Sequence, residues 1–246
     1  MENRIRTDAR LDAALSFIEN GAVAADVGTD HGYIPIYLVQ NGISPFAYAS
    51  DVNAQPLAKA KANAEKYGVS DRISFHLCDG LGFIGKGEMN GEHPVDTVVV
   101  CGMGGELIAK IIDASAYVKR TGVRLVLQPM TRADKLRTYL AANGFAVLGE
   151  KLCTAAGKIY TVICAEYDGV ERVITDAEAI LGRSASDGDR RLAKEYLAAA
   201  LKKQRTKIDG MNNSSRGAAD EKKLYRELKR TFRKGKREGT MCDDGK

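Results

Sequence analysis

Short apolar runs alternate with helix-like stretches through the first two thirds of the 246-residue chain. The first apolar run, 22–27, is interrupted only by Asp26, and a turn containing Gly28 and Gly32 leads into a helix-like run over 33–40. A buried strand, a glycine-containing turn and a helix make up the first unit of a doubly wound α/β domain. In such a domain the ligand binds at the carboxyl ends of the strands.

The same alternation predicts a sheet of seven strands with helices between them. The predicted strands cover 22–27, 46–50, 73–78, 97–100, 123–128, 145–152 and 159–166. The predicted helices cover 8–20, 32–40, 56–67, 107–112 and a segment around 136–140. Gly157 separates the last two strands and allows a hairpin, so the sheet is expected to end antiparallel. Pro129 is expected to end the fifth strand because it cannot donate a ladder hydrogen bond.

The last third of the chain has a different pattern, with narrow apolar stripes among many charged residues. It predicts two helices, 189–208 and 220–232, which bury their stripes against each other as an antiparallel hairpin. The tail, 234–246, is expected to be disordered. We therefore expect an α/β domain over 1–168 and a helical appendage over 169–246.

Charge is distributed unevenly between these two parts. The chain as a whole has a net charge of +5, whereas 170–246 hold 20 Lys and Arg against 13 Asp and Glu. A near-neutral body with a basic appendage fits a polyanionic partner. A solvated helical surface that simply favours Lys and Arg is the alternative.

Composition excludes several classes of protein. No apolar run approaches the roughly 18 residues of a membrane span, and the first residues lack the apolar core of a signal peptide, so a cytoplasmic protein is expected. The five cysteines are odd in number and contain no C-x-x-C pair. Neither a zinc site nor a disulfide framework is indicated.

The turn after the first strand carries unusual chemistry for a nucleotide-binding turn. Between Gly28 and Gly32 stand Thr29, Asp30 and His31. A diphosphate-binding turn needs a glycine near position 30 so that the backbone can approach the phosphates, and a carboxylate there repels them. This disfavours a nicotinamide oxidoreductase. S-adenosylmethionine, which carries a sulfonium and an ammonium group, suits an acidic turn.

Further candidates follow the other strands. Asp51 stands 23 residues after Gly28 at the tip of the second strand, where an acidic residue binds ribose hydroxyls; capping of the next helix is the alternative. Asp79 and Gly80 follow the third strand, where a carboxylate can accept a hydrogen bond from an adenine amino group. Three glycines in 101–105 let a second molecule approach the fourth strand.

Together these residues resemble the bacterial tRNA adenine-22 N1-methyltransferases, the TrmK family. The resemblance covers nearly all of 1–166, and the GTDHGY turn and the CGMGG loop are its most specific parts. The stretches that carry it are ADVGTDHGYIPIYL (25–38), ASDVNAQPLAKAKAN (49–63), VVVCGMGGELIAKII (98–112) and LVLQPMTRADKLRTYLAANGF (125–145).

The resemblance implies a Rossmann-like, seven-stranded class I methyltransferase domain with a C-terminal helical coiled coil. It implies transfer of a methyl group from S-adenosylmethionine to N1 of adenine 22 in tRNA. We further expect a monomer that needs no metal and no membrane. Another RNA, a protein or a small molecule as acceptor, or a non-catalytic RNA-binding protein on this fold, are the alternatives.

The resemblance also implies roles for individual residues. The implied cofactor-binding residues are Gly28, Thr29, Asp30, Asp51, Val52, Asn53, Asp79, Gly80, Cys101, Gly102, Met103 and Gly104. Gln128 and Pro129 would complete the pocket of the target base. Asp30 and His31 are the candidate catalytic residues. Asp30 would hold either the cofactor ammonium or the target amino group, and His31 would contact the base or hold the turn.

Overall fold

The computed structural model describes residues 4–84, 93–183, 189–211 and 216–243. Its centre is one seven-stranded sheet in the order β3-β2-β1-β4-β5-β7-β6. The strands are β1 (Ala24–Val27), β2 (Ala47–Asp51), β3 (Ile73–Leu77), β4 (Thr97–Gly104), β5 (Arg124–Thr131), β6 (Phe145–Ala155) and β7 (Lys158–Tyr167). Strands β1 to β5 are parallel, and β7 runs antiparallel between β5 and β6. The prediction of seven strands with an antiparallel end is confirmed.

Helices pack on both faces of the sheet. They are α1 (Ala9–Leu15), α2 (Tyr33–Gln40), α3 (Ala54–Lys66), α4 (Gly105–Asp113), α5 (Ala133–Ala142), α6 (Asp176–Leu181), α7 (Arg190–Asp209) and α8 (Arg216–Asp243). Apolar residues of α4 and α5 join one core, and those of α1, α2 and α3 join cores on the opposite face. Because both faces of the sheet are covered, the central strands β1, β4 and β5 are near-continuous apolar runs, whereas Ser74 and His76 alternate with apolar residues in the edge strand β3.

The prediction that Pro129 ends the fifth strand is wrong. Strand β5 continues to Thr131 and still pairs with β4, although the register shifts on either side of Met103. Proline is tolerated because the ladder is already irregular there, as it often is at a bulge. Gly102, with a φ of +81°, turns its N–H toward the Gln128 side chain, whose Oε1 accepts it at 3.2 Å.

The helical hairpin is confirmed, but two of its details were not predicted correctly. Helix α8 continues to Asp243, so the predicted disorder of 234–246 is wrong up to that residue, and the last three residues lie outside the described part. Charged residues predominate after Phe232, and Lys, Arg and Glu have good helix propensity, so the sequence favours a longer helix than its apolar stripe indicates.

The second departure is helix α6, which the sequence analysis missed. It starts with a capping box in which the Thr175 hydroxyl accepts the Glu178 N–H, and the Glu178 carboxylate accepts the Thr175 N–H. T-x-x-E is a sequence signal for such a start. Leu181 of α6 and Leu228 of α8 are buried in one apolar cluster, so the hairpin packs on α6 as well as on itself.

No helix in the described ranges is both long enough and apolar enough to cross a membrane.

Candidate active site

The carboxyl ends of five parallel strands meet at one edge of the sheet. Because β2, β1, β4 and β5 are neighbours in that order, Asp51 at the end of β2, the turn after Val27 and the end of β4 are brought side by side. The residues predicted from strand tips therefore lie along one edge, as expected for a doubly wound sheet.

The turn after β1 is built so that its backbone does not form a phosphate cradle. The N–H groups of Gly28 and Thr29 both donate to the Ser50 carbonyl, at 2.8 and 3.0 Å. The Asn63 side-chain amide of α3 donates to the His31 carbonyl at 2.9 Å and holds the far end of the turn. The first amides of the turn are thus engaged by the protein, and side chains determine what the turn can bind.

Asp30 and His31 form a pair at the mouth of this turn. Asp30 Oδ2 lies 3.3 Å from His31 Nε2, and the Asp30 side chain is 68% exposed. The His31 ring lies 5.3 Å from the Tyr33 ring, centroid to centroid. His31 can therefore orient an accessible carboxylate, which is consistent with either predicted role of Asp30.

The ends of β2 and β3 are tied together by hydrogen bonds. The Asp51 carbonyl accepts the Cys78 N–H at 3.1 Å, and the Ser50 hydroxyl donates to the Gly80 carbonyl at 3.0 Å. Asp51 Oδ1 also accepts the N–H of Asn53, the residue that precedes α3, at 2.6 Å. Asp51 therefore orders the start of α3, and the predicted contact with a ribose would use the rest of its carboxylate.

The glycines of the 101–105 loop serve two different purposes. Gly102 has open space where a side chain would begin, so a ligand can approach its backbone. A Cβ at Gly105 would instead collide with the carbonyl of Arg132, so the neighbour there is this chain's own backbone. The Met103 side chain packs directly on Gly28, which joins the loop to the turn after β1.

The buried side chain of Gln128 holds this loop in place by a hydrogen bond. It accepts the Gly102 N–H and donates to the Pro129 carbonyl at 3.1 Å. The bond to Gly102 holds the irregular ends of β4 and β5 together. The contact of Gln128 and Pro129 with a target base stays a prediction.

Asp26 is a buried carboxylate that the sequence analysis did not single out. It is only 7% exposed, and burial raises its pKa to about 6, with the charge of Asp51 adding to the shift. The Thr29 hydroxyl opposes the shift, although its buried Oγ1 makes no hydrogen bond of standard geometry among the described residues. The sequence signal that could have identified Asp26 was its position as the one carboxylate within the apolar run 22–27.

The Cys101 thiol is held in its neutral form. Burial raises its pKa above the ordinary range, and the negative charge of Asp26 contributes. In the ranges that the structure describes, no group of three or more His, Cys, Asp and Glu side chains is arranged to hold a metal ion.

Residues 7–163 match the family model of a methyltransferase domain. A tRNA (adenine(22)-N(1))-methyltransferase of Bacillus subtilis (strain 168) is 36% identical over 208 residues, which cover 82% of this chain and 81% of that protein. The crystal structure of the B. subtilis m1A22 tRNA methyltransferase TrmK superposes with a TM-score of 0.76 at 28% identity, over 95% of this chain and 100% of that chain.

A relative from another organism was solved with a ligand. The structure of M. capricolum TrmK in complex with S-adenosyl-homocysteine has a TM-score of 0.78 at 25% identity, over 92% of this chain and 97% of that chain. Strand order, the arrangement of the strand tips and these matches agree, and the chain belongs to the tRNA (adenine(22)-N(1))-methyltransferase family.

Proposed function

We propose that this chain methylates N1 of adenine 22 in tRNA. The observation that carries the proposal is the acidic edge of the sheet, where Asp30, Asp51 and Asp79 follow three neighbouring strands. S-adenosylmethionine supplies an activated methyl group on a cationic sulfur. The related M. capricolum protein binds the product of that cofactor.

The edge fits such a cofactor in charge and in hydrogen-bonding capacity. Carboxylates complement the ammonium group and accept hydrogen bonds from ribose hydroxyls and an adenine amino group. Thr29 stays a predicted ligand, and its hydroxyl is buried beside the Asp26 carboxylate. Gly102 leaves its backbone open for close approach. The remaining predicted ligands are Gly28, Asp30, Asp51, Val52, Asn53, Asp79, Gly80, Cys101, Met103 and Gly104.

The reaction asks little proton chemistry of the protein. N1 of neutral adenine carries a lone pair, so no base has to remove a proton before attack. The protein has to align N1 with the methyl group, and such positioning contributes several kcal/mol. The adenine becomes cationic during transfer, and the exposed Asp30 carboxylate, oriented by His31, stabilises that charge or holds the amino group.

The appendage supplies the electrostatic attraction for tRNA. Its excess of Lys and Arg contacts phosphates and offsets the cost, a few kcal/mol, of taking the target base out of its stack. We also propose that the protein acts as a monomer in the cytoplasm, where its tRNA substrate is found. The division into a domain over 1–168 and an appendage over 169–246 belongs to the same proposal.

Primer extension on unmodified tRNA tests the proposed function. A methyl group on N1 blocks base pairing, so incubation with S-adenosylmethionine should create a reverse-transcription stop at adenine 22. A tRNA in which guanine replaces that adenine should take up no methyl group. Methyl uptake without the stop would mean a different acceptor, and no uptake into any tRNA would refute the proposal.

A further inference from the structure

A groove of about 320 Å³ lies between the tip of β5 and helix α7. The α/β domain contributes Pro129, Thr131 and Arg132, and α7 contributes Tyr196, Lys203 and Lys207. The groove therefore joins the strand-tip edge to the basic appendage.

The groove begins where the candidate active site ends. Pro129 and Thr131 of β5 line the groove and pair with Met103 and Gly104 of β4. The groove is therefore adjacent to the 101–105 loop, which faces the predicted cofactor site. The next residue, Arg132, has a left-handed backbone with a φ of +57°, which is uncommon for a residue other than glycine. Such strain is often found at functional sites.

One stripe of α7 faces this groove. Tyr196, Ala199, Lys203 and Lys207 are spaced three or four residues apart and share one side of the helix. Ala199 is small, so it leaves room between the helix and the body. Two lysines of the appendage, Lys203 and Lys207, thus line a groove. Lysines that only keep the helix surface solvated would not have to lie there.

The charges along the groove are mainly positive. Lys203 is exposed and makes no ion pair with any carboxylate of the described residues, and Lys207 Nζ lies 3.5 Å from Glu221 Oε1. The Arg132 guanidinium is 45% exposed and has two acidic neighbours, Asp134 in the groove at 3.4 Å and Glu106 of α4 at 3.5 Å. The groove therefore offers cations for phosphates beside apolar surface for sugars.

We propose, building on the function proposed above, that this groove holds the RNA strand directly beside the target adenine. Lys203 and Lys207 bind backbone phosphates, and Arg132 binds the phosphate nearest to the active site. The extruded base enters the strand-tip pocket past Pro129 and Thr131. In this arrangement α7 positions the strand for reaction in addition to attracting tRNA.

A pair of lysine substitutions tests the phosphate contacts. Lys203→Ala should weaken tRNA binding about three- to tenfold and lower the slope of log affinity against log salt by about one. Lys194 is exposed and lies nine residues before Lys203 on α7, about 180° away around the helix axis, so Lys194→Ala is a charge-matched control that should leave both quantities unchanged. Binding of S-adenosylhomocysteine should be the same in both variants. Equal tRNA affinity and equal slope for the two variants would overturn the proposal.

Site-specific crosslinking tests which part of the tRNA occupies the groove. A photoreactive benzoylphenylalanine at Ala199, which lines the groove, should crosslink to nucleotides flanking adenine 22. The same group at the adjacent exposed Ala198, which does not line the groove, is the control. Crosslinks to distant nucleotides, or equal patterns from the two positions, would refute the groove. If the wild-type protein methylates adenine 22 but the expected crosslinks and lysine effects are not observed, the groove proposal is wrong and the proposed function stands.

Discussion

Acidic side chains near the turn after β1 differ greatly in their exposure. Asp30 is largely exposed and paired with His31, whereas Asp26 is buried two residues before the turn. Exposure decides what each can do, because a buried carboxylate is costly to ionise and an exposed one is not. Asp30 is therefore suited to contact a ligand directly. Asp26 cannot reach a ligand, and it affects the site only through its charge.

Asp30→Asn should slow methyl transfer itself. At saturating cofactor and tRNA, the single-turnover rate is expected to fall about tenfold, since an amide replaces a charged hydrogen-bond acceptor. Rapid-quench experiments under single-turnover conditions measure this rate. The control is Asp71→Asn, an exposed residue before the amino end of β3, at the opposite edge of the sheet. A normal rate with weaker cofactor binding would make Asp30 a cofactor ligand alone.

Asp26 should make the protein less stable as pH rises. Its pKa of about 6 lies above the ordinary 3.8, so the folded chain binds this proton more tightly than the unfolded chain. The contribution of Asp26 to the free energy of unfolding should fall by about 3 kcal/mol between pH 4 and pH 6 and stay constant above that. Urea unfolding of Asp26→Asn should lack this decline. Parallel curves for both proteins would show that Asp26 titrates normally.

At the scale of elements, the strand and helix pattern could be predicted well because apolar runs record burial directly. The sequence did not predict how β4 and β5 continue past Cys101 and Pro129. That continuation depends on a side chain of one strand, Gln128, satisfying an amide of the other, Gly102. A local pattern does not contain such a contact. Helix α6 was missed for a different reason, since its Thr175 and Glu178 signal was present but the segment is short.

Two of the three glycines in the 101–105 loop should respond differently to substitution by alanine. Gly105→Ala places a Cβ against the Arg132 carbonyl, so the start of α5 must move, and a loss of about 1–3 kcal/mol in unfolding free energy is expected. Gly102→Ala meets no neighbouring atom and costs about 1–2 kcal/mol for its positive φ. Only Gly102→Ala should also reduce cofactor affinity directly. Calorimetry with S-adenosylhomocysteine, after a check of folding, separates the two effects.

At the scale of the whole molecule, a buried ion pair inside the α/β domain also binds the appendage, because its arginine donates to backbone carbonyls of α6. Arg137 of α5 makes two hydrogen bonds with Glu150 of β6, at 2.7 and 2.9 Å, and donates to the carbonyls of Ala179 and Ile180 in α6. Burial alone would lower the pKa of Arg137, but Glu150 raises it above its ordinary value. Arg137 therefore stays charged while it caps the end of α6.

Glu150→Gln should destabilise the protein strongly. It leaves the buried Arg137 charge without its counterion, which costs about 3–5 kcal/mol in unfolding free energy. The matched control is Asp209→Asn, which breaks the exposed pair with Arg205 on α7 and should cost less than about 1 kcal/mol. Denaturant unfolding measures both. Similar losses for the two variants would mean that burial adds nothing to the pair.

The place where the chain is cut should decide whether the α/β domain survives without the hairpin. A cut after Arg183 keeps α6, and with it the Ala179 and Ile180 carbonyls that bind Arg137. Residues 1–183 should fold and bind S-adenosylhomocysteine within about threefold of the full chain, whereas their tRNA affinity should fall at least about a hundredfold with a smaller salt dependence.

A cut after Gly169 removes α6 and leaves part of the buried Arg137 guanidinium without its acceptors, so 1–169 should be less stable than 1–183 by several kcal/mol. Circular dichroism during urea unfolding compares the two fragments, and filter binding measures their tRNA affinity. Equal stability of the two fragments would mean that α6 does not stabilise the α/β domain. Full tRNA affinity of 1–183 would place the RNA-binding surface on the domain alone, because α7 and α8 are absent from that fragment.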